Sequence, residues 1–390
     1  MRAYRRFLSL LRKCTRSCKR SWAWEPVLRT GDVSYACGVS THEDHRPRAR
    51  RPRRADVARL AGVSPATVSF VLNRTAGQTI SDETRQRVLQ AVAELDYRPN
   101  RAAQGLRQGR SATIGFVSHD VDFGVFAASA IKGAHEASLR HGNLLLLVNT
   151  GASNRQAAHL VADLLDRQVD ALIFAAVGTK SVVLPDDARR VPTILLNCFV
   201  PDDSVPSILP DEVRGGREAT QALLDLGHRD IAYLTGTVSA WATKSRLRGF
   251  REALRGAGLD PRNHTVMAGN YHADSGYELA RKLLRRGPRP TAIMCGNDRM
   301  AVGAILALLE AGVRVPEDVS VMGYDDQFQL AAEIHPALST VRLPYDVMGR
   351  LAAEQLAAGE PAVGNGRTLV HCPLVLRDST AAPVGGPAGA

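Results

Sequence analysis

Aromatic residues make up only 5% of the chain. Any core must then be built mainly from Leu, Val, Ile and Ala, and an apolar share of 45% supplies enough of them for a sizeable one. Cysteine is sparse as well. The six cysteines sit at 14, 18, 37, 198, 295 and 372, a scatter that forms no disulfide framework and fits a reducing compartment. Cys14 and Cys18 are close enough to touch a metal, but no second His/Cys pair follows at zinc-ligand spacing, so no metal is expected. Cys198 and Cys295 end apolar runs that read as buried strands, where a thiol behaves as a small hydrophobe. No apolar run reaches the roughly 18 residues of a membrane-spanning helix. The apolar stretch at 7–11 is too short for a signal-peptide core and is interrupted by Arg12 and Lys13. A cytoplasmic protein without a membrane partner is expected. Neither a Gly-x-Ser-x-Gly elbow nor a phosphate-binding loop occurs, so neither catalysis nor a cofactor is expected.

Positive charge is abundant, but it is concentrated. The formal net charge is +11, and residues 1–54 alone carry 15 Arg or Lys against four acids, a balance of +11, so the rest sums to zero. A basic front on a near-neutral body is the outline of a nucleic-acid binder, although an arginine-rich solvated tail gives the same outline. A length of 390 residues suggests two to three folding units. Residues 1–52 show no sustained period and read as a disordered basic extension, with Trp22 and Trp24 sitting awkwardly in it.

From Ala55 the pattern sharpens. A short helix covers 56–61 and is stopped by Gly62, where a left-handed residue is wanted. Ser64 and Pro65 start a second helix as N-cap and first helical residue, with Val68, Val71 and Leu72 on its inner side. Ser81 caps a third, whose buried stripe is Val88, Val92 and Leu95. Pro99 ends this unit, and Asn100 caps a very short helix over 101–107, too short to be stable alone in water. From 111 onward apolar runs alternate with amphipathic helices, the signature of parallel sheets covered on both faces. Their number suggests two sheets and hence two lobes. The fold class is therefore α/β: a three-helix head at 53–99, a hinge at 100–110, a two-lobed body at 111–380 and a flexible tail at 381–390.

Helix, tight turn and helix with small or polar outward residues is the spacing of a helix-turn-helix, though an ordinary three-helix bundle has the same spacing. The side expected to face a major groove holds Ser64, Pro65, Ala66, Thr67, Ser69 and Phe70, with Asn73 at its end.

The run from Asp56 to Asn73, DVARLAGVSPATVSFVLN, closely resembles the DNA-binding head of the lactose-repressor (LacI/GalR) family. The resemblance continues through LDYRPNRAAQGL at 95–106, LGHRDIA at 226–232, NDRMA at 297–301, GYDD at 323–326, PALST at 336–340 and RDST at 377–380. It implies a homodimeric, effector-controlled repressor that binds a pseudo-palindromic operator, with a body similar to periplasmic sugar-binding proteins. Two hinge helices would lie in the minor groove, where Leu106 wedges a base step while Asn100, Arg101 and Ala103 line the same segment. By matching position, Arg246 and Asp325 would face the effector with Asn297 helping, and Tyr271 and Phe126 would wall the site. A surface ion pair for Arg246, a loop-capping role for Asp325 and plain packing for the two aromatics remain open. The effector implied is a small molecule such as a sugar. Two departures matter. Arg53 and Arg54 stand where the family has Thr and an apolar residue, so a side-chain cap worth about 1 kcal/mol is expected to be lost. Phe70 stands where relatives commonly carry Arg, so a guanine contact gives way to a thymine methyl or sugar contact. His228 follows Leu226 and Gly227 at a helix end, where a cation or a C-terminal cap is expected.

A solute-binding protein of a transporter shares such a body, and an α/β enzyme shares its layers. The helix-turn-helix pattern and the missing catalytic motifs argue against each. If the basic extension adds only non-specific affinity, deleting residues 1–50 should flatten the salt dependence of DNA binding yet leave operator preference intact. Mobility shifts with specific and random duplexes over a salt series read both, and lost preference would refute the assignment.

Overall fold

The computed structural model describes residues 52–73, 80–98, 109–119, 125–326, 329–359 and 366–384. The basic extension before residue 52 and the expected hinge residues Asn100, Arg101, Ala103 and Leu106 lie outside them, as do the side chains of Asn73 and Phe126. The chain divides between Arg98 and Pro99 into a small unit and a large one.

The small unit holds three helices, α1 (Arg54–Ala61), α2 (Pro65–Asn73) and α3 (Asp82–Glu94). Gly62 takes the left-handed conformation, φ 66°, that ends α1 and turns the chain toward α2. Ser64 Oγ accepts the Thr67 N–H at 3.1 Å, and Ser81 Oγ accepts that of Thr84 at 3.3 Å. Val57, Val68, Val71 and Val88 close the core between the helices. The start of α1 is capped in an unexpected way. Arginine has no acceptor to offer at Arg53, but the Asp56 carboxylate reaches back to the Arg53 N–H at 2.8 Å and also pairs with Arg59. Half of a reciprocal cap is thereby restored, so the loss expected from sequence is only partial.

The large unit contains two all-parallel sheets. The first has six strands in the order β11-β5-β4-β3-β1-β2, with β1 (Thr113–His119), β2 (Leu144–Gly151), β3 (Ala171–Ser181), β4 (Thr193–Phe199), β5 (Ser207–Pro210) and β11 (Arg367–Val370). The second has four, β7-β6-β8-β9, with β6 (Ile231–Thr235), β7 (Val266–Ala268), β8 (Ala292–Cys295) and β9 (Ser320–Met322). A short antiparallel pair joins β10 (Thr340–Val341) to β12 (Leu374–Val375). Alternation along each strand decides the layers. Ala171, Ile173 and Ala175 of β3 face one core while Leu172, Phe174 and Ala176 face another. In β6 and β8, Ile231, Tyr233, Ala292 and Met294 face the first of these cores, and Ala232, Leu234, Ile293 and Cys295 face a third. Helices cover both faces, as a parallel sheet requires.

Three pairs of those helices cross at glycines. α4 (Val125–Arg140) meets α11 (Tyr345–Ala358) at Gly133 and Gly349. α6 (Glu212–Asp225) meets α7 (Trp241–Gly256) at Gly216 and Gly249, and α8 (Ala273–Leu284) meets α9 (Asp298–Glu310) at Gly276 and Gly303. At each position a Cβ would fall well inside contact distance of backbone on the facing helix.

Some expectations need correction. His228 does close the helix end, its N–H donating to the Leu223 carbonyl at 3.1 Å, but its ring is buried, bonded through Nδ1 to the Thr291 hydroxyl at 2.9 Å and through Nε2 to Ser320 Oγ at 3.1 Å and the Ala381 carbonyl at 2.9 Å. Burial lowers its pKa. The same contact corrects the tail, because Ala381, placed in the flexible segment from sequence, also donates its N–H to Ser320 Oγ at 3.0 Å. Residues 385–390 lie outside the described residues. Gly249→Ala should force α7 off α6 and cost roughly 1–3 kcal/mol, as overpacking does. Denaturant unfolding of the purified variant measures it, and unchanged stability would show that the crossing can yield.

Candidate functional site

A parallel sheet offers ligands the crevice outside the carboxyl ends of its strands. A cavity of about 620 Å³ opens there in the large unit. Its wall is made by the ends or following loops of several strands: Thr179 and Lys180 at the end of β3, Phe199 at the end of β4, Trp241 and Lys244 after β6, Tyr271 after β7, Asn297 after β8 and Asp325 after β9.

Arg246 lies deepest. It belongs to α7 and is 3% exposed. Nε donates to Glu212 Oε2 at 2.6 Å and Nη2 to Glu212 Oε1 at 3.0 Å, a bidentate fork, while Nη1 donates to the Gly296 carbonyl at 2.6 Å. Its guanidinium carbon sits 3.6 Å from the centroid of the Tyr324 ring. The surface ion pair left open from sequence is thus excluded: the pair is buried, and most of the Arg246 fork is committed to protein.

Asp325 is 8% exposed and holds φ at 110°, a conformation that costs an L residue. Its Oδ1 lies 3.2 Å from Arg246 Nη2 yet receives no hydrogen bond. An unserved carboxylate oxygen in a buried wall is costly unless something fills the cavity. Burial, together with the nearby Asp298 and Glu212 carboxylates, pushes its pKa up to about 8 against the opposing pull of Arg246.

Asn297 caps α9, its Oδ1 accepting from the Met300 N–H at 3.0 Å, and its Nδ2 donates to the Tyr271 carbonyl at 3.0 Å. Its amide therefore shapes the wall more than it reaches beyond it. Tyr271 has φ 69° and shares a 2.6 Å hydrogen bond with the Thr243 hydroxyl. Its ring lies over Gly236, where any Cβ would collide with it. Phe199 and Trp241 form a tilted pair with centroids 5.0 Å apart, and the Arg367 guanidinium lies 3.9 Å from the Phe199 ring.

In the small unit Ser64, Pro65 and Ala66 are exposed, and Thr67, Ser69 and Phe70 are half-buried. The start of α2 thus presents short side chains, with Ser64 Oγ and Thr67 Oγ1 2.9 Å apart.

Residues 55–100 match the bacterial regulatory proteins, lacI family, and residues 220–380 match the periplasmic binding protein-like domain. The chain is 33% identical over 326 residues to the ribose operon repressor of Haemophilus influenzae, covering 83% of this chain and 97% of that protein. This chain belongs to the lacI family.

The sucrose operon repressor of Escherichia coli is 34% identical over 331 residues, or 83% of this chain and 98% of that one. The crystal structure of the lac repressor dimer bound to operator and the anti-inducer ONPF superposes with a TM-score of 0.68 at 30% identity, covering 85% of this chain and all of that one. As a lacI-family member the protein is a ligand-responsive, DNA-binding transcriptional regulator, not a transporter's solute-binding protein. No single described helix is long and apolar enough to cross a membrane.

Of the sequence-derived cavity residues, Arg246, Tyr271, Asn297 and Asp325 come together in one wall. Sequence reasoning missed Glu212, Phe199, Trp241, Lys180, Lys244 and Arg299. A signal for two of them was present: the segment 236–244, GTVSAWATK, follows β6 directly and so had to lie at a carboxyl end.

The raised pKa of Asp325 has a consequence for stability. An unfolded aspartate titrates near about 3.9, so between roughly that pH and about 8 the folded chain holds a proton the unfolded one has lost. This group's contribution is most favourable below that window and declines as pH rises through it. Asp325→Asn should remove that decline, so its melting temperature should gain on the parent's between about pH 5 and pH 8. Parallel melting curves across that range would reject the shift.

Proposed function

We propose that this lacI-family regulator is a homodimeric repressor whose hold on a pseudo-palindromic operator is set by a polyhydroxylated small molecule, a sugar or sugar derivative, bound in the cavity beside Arg246. The observation that carries the reading is Asp325 Oδ1, a buried acceptor without a donor, in a cavity walled by Phe199, Trp241 and Tyr271. Aromatic faces suit the C–H faces of a sugar ring, and a carboxyl oxygen suits its hydroxyls. The names of the ribose and sucrose operon repressors support the same ligand class. Arg246 is assigned to fixing Asp325 and the Gly296 loop, Asn297 to holding Tyr271, and Phe126 to a further wall. No catalytic step is assigned, and the protein is placed in the cytoplasm at its operator.

On the DNA side Ser64, Pro65, Ala66, Thr67, Ser69, Phe70 and Asn73 are assigned to the major groove. Asn100, Arg101, Ala103 and Leu106 are assigned to a hinge over 100–110 that binds the minor groove between a head at 53–99 and an effector body at 111–380.

Mobility shifts with the gene's own upstream DNA test both halves. Asp325→Ala and Trp241→Ala should each weaken the response to a sugar that acts on the parent by tenfold or more, about 1.4 kcal/mol, with operator affinity retained. A normal response in both variants would overturn the cavity assignment. Phe70→Arg should shift selection from random DNA toward a guanine at one half-site position, worth about 1–3 kcal/mol. Recovery of the same motif for both proteins would overturn the readout.

A further inference from the structure

The cavity is not uniform from floor to mouth. The floor is buried and holds Glu212, Arg246, Asn297, Asp325 and Tyr345. Glu212 and Arg246 neutralise one another there, which leaves Asp325 Oδ1 as the acceptor in need of a donor. The mouth carries the opposite character. Lys180, Lys244 and Arg299 line it, Lys244 and Arg299 are exposed, and among the described residues no carboxylate other than Glu212 and Asp325 lines the cavity. The chain has only six lysines, and two of them stand in this one wall.

Two of the cations occupy places that local energetics disfavours. Lys244 is the fourth residue of α7 and Arg299 the second of α9, both in first turns. The partial positive charge of a helix N-terminus opposes a cation there. The first turn of α7 contains no acid, and its N-cap is Ala240, which has no side-chain acceptor for the first N–H groups. Ala240, Trp241 and Ala242 all line the cavity, so that end of the helix opens onto it. Lys244 makes no ion pair among the described residues, and Arg299 donates from Nη2 to His272 Nδ1 at 2.8 Å, a neutral acceptor unless protonated. An uncapped helix start flanked by cations attracts an anion, and the unserved Asp325 oxygen independently marks the same cavity as one built to be filled.

We infer that the effector is a sugar bearing one acidic group, a carboxylate or a phosphate, with its hydroxyls toward Asp325 at the floor and its anionic group toward Lys244, Arg299 and the start of α7 at the mouth. This rests on the proposed sugar-class reading and narrows it.

Calorimetric titration of the full-length dimer tests it with matched probes: glucose, glucuronate, gluconate and glucose 6-phosphate, and ribose beside ribose 5-phosphate. At least one anionic probe should bind tenfold or more tightly than its neutral parent, and which one separates carboxylate from phosphate. Lys244→Gln and Arg299→Gln should each bring that probe's affinity down toward the parent sugar's, while Lys244→Arg should retain it. Raised salt should weaken the anionic probe more than the neutral one. A neutral sugar that binds as well as or better than its anionic partners overturns this inference and leaves the sugar-class reading standing. Binding by none of the carbohydrates while a nucleobase binds overturns both.

Discussion

The large unit is organised around one buried arginine. Arg246 gathers Glu212 from the start of α6, the Gly296 carbonyl after β8, the Tyr324 ring and the Asp325 carboxylate after β9. Removing such charges from water costs several kcal/mol per ion, and only close, directed contacts offset that loss. The bidentate fork to Glu212 supplies them. Those loops form the cavity floor, so the pairing that makes Arg246 tolerable also sets where a ligand can lie. The consequence for Asp325 is asymmetric. Arg246 is engaged chiefly with Glu212, so Asp325 Oδ1 is left with an ion pair and no well-directed hydrogen bond, and burial, which Arg246 offsets only in part, holds the Asp325 proton more tightly.

The guanidinium reaches this position because α6 and α7 approach closely. Gly216 lies against the Arg246 backbone and Gly249 against Val213 and Arg217. The same device recurs between α8 and α9, where Gly276 meets Met300, the residue whose N–H is capped by Asn297. Packing and polar placement are thus linked, since a helix displaced by a methyl group would carry its cavity-lining residues with it.

Much of this architecture was legible in the residues. Gly62, Ser64 and Ser81 mark helix ends by local chemistry, and most strands of the two sheets announce themselves as apolar runs. The alternation of Ile173 with Leu172 and Phe174 was not readable as two cores, because a strand buried on both faces shows no polar side. β5, β10, β11 and β12 are two to four residues long and exist through distant pairing, such as Arg367 beside Ser207, so no local pattern could mark them. Arg246 and Asp325 were found through the family likeness, whereas Glu212 was not, because its importance lies in a partner 34 residues away. The cap at His228 was legible, but the burial of its ring was not, because it depends on Ala381 folding back over it.

The side chains that line the mouth are carried at the carboxyl ends of the strands or on the segments that follow them, whereas the glycine crossings and the alternating cores lie behind them. The rim of the cavity and the load of folding are therefore held by different residues. A substitution at Lys244 or Arg299 leaves the glycine contacts beneath untouched. The scaffold is to that extent separable from its rim, so that the chemistry facing the cavity can change while the crossings that hold the helices stay as they are.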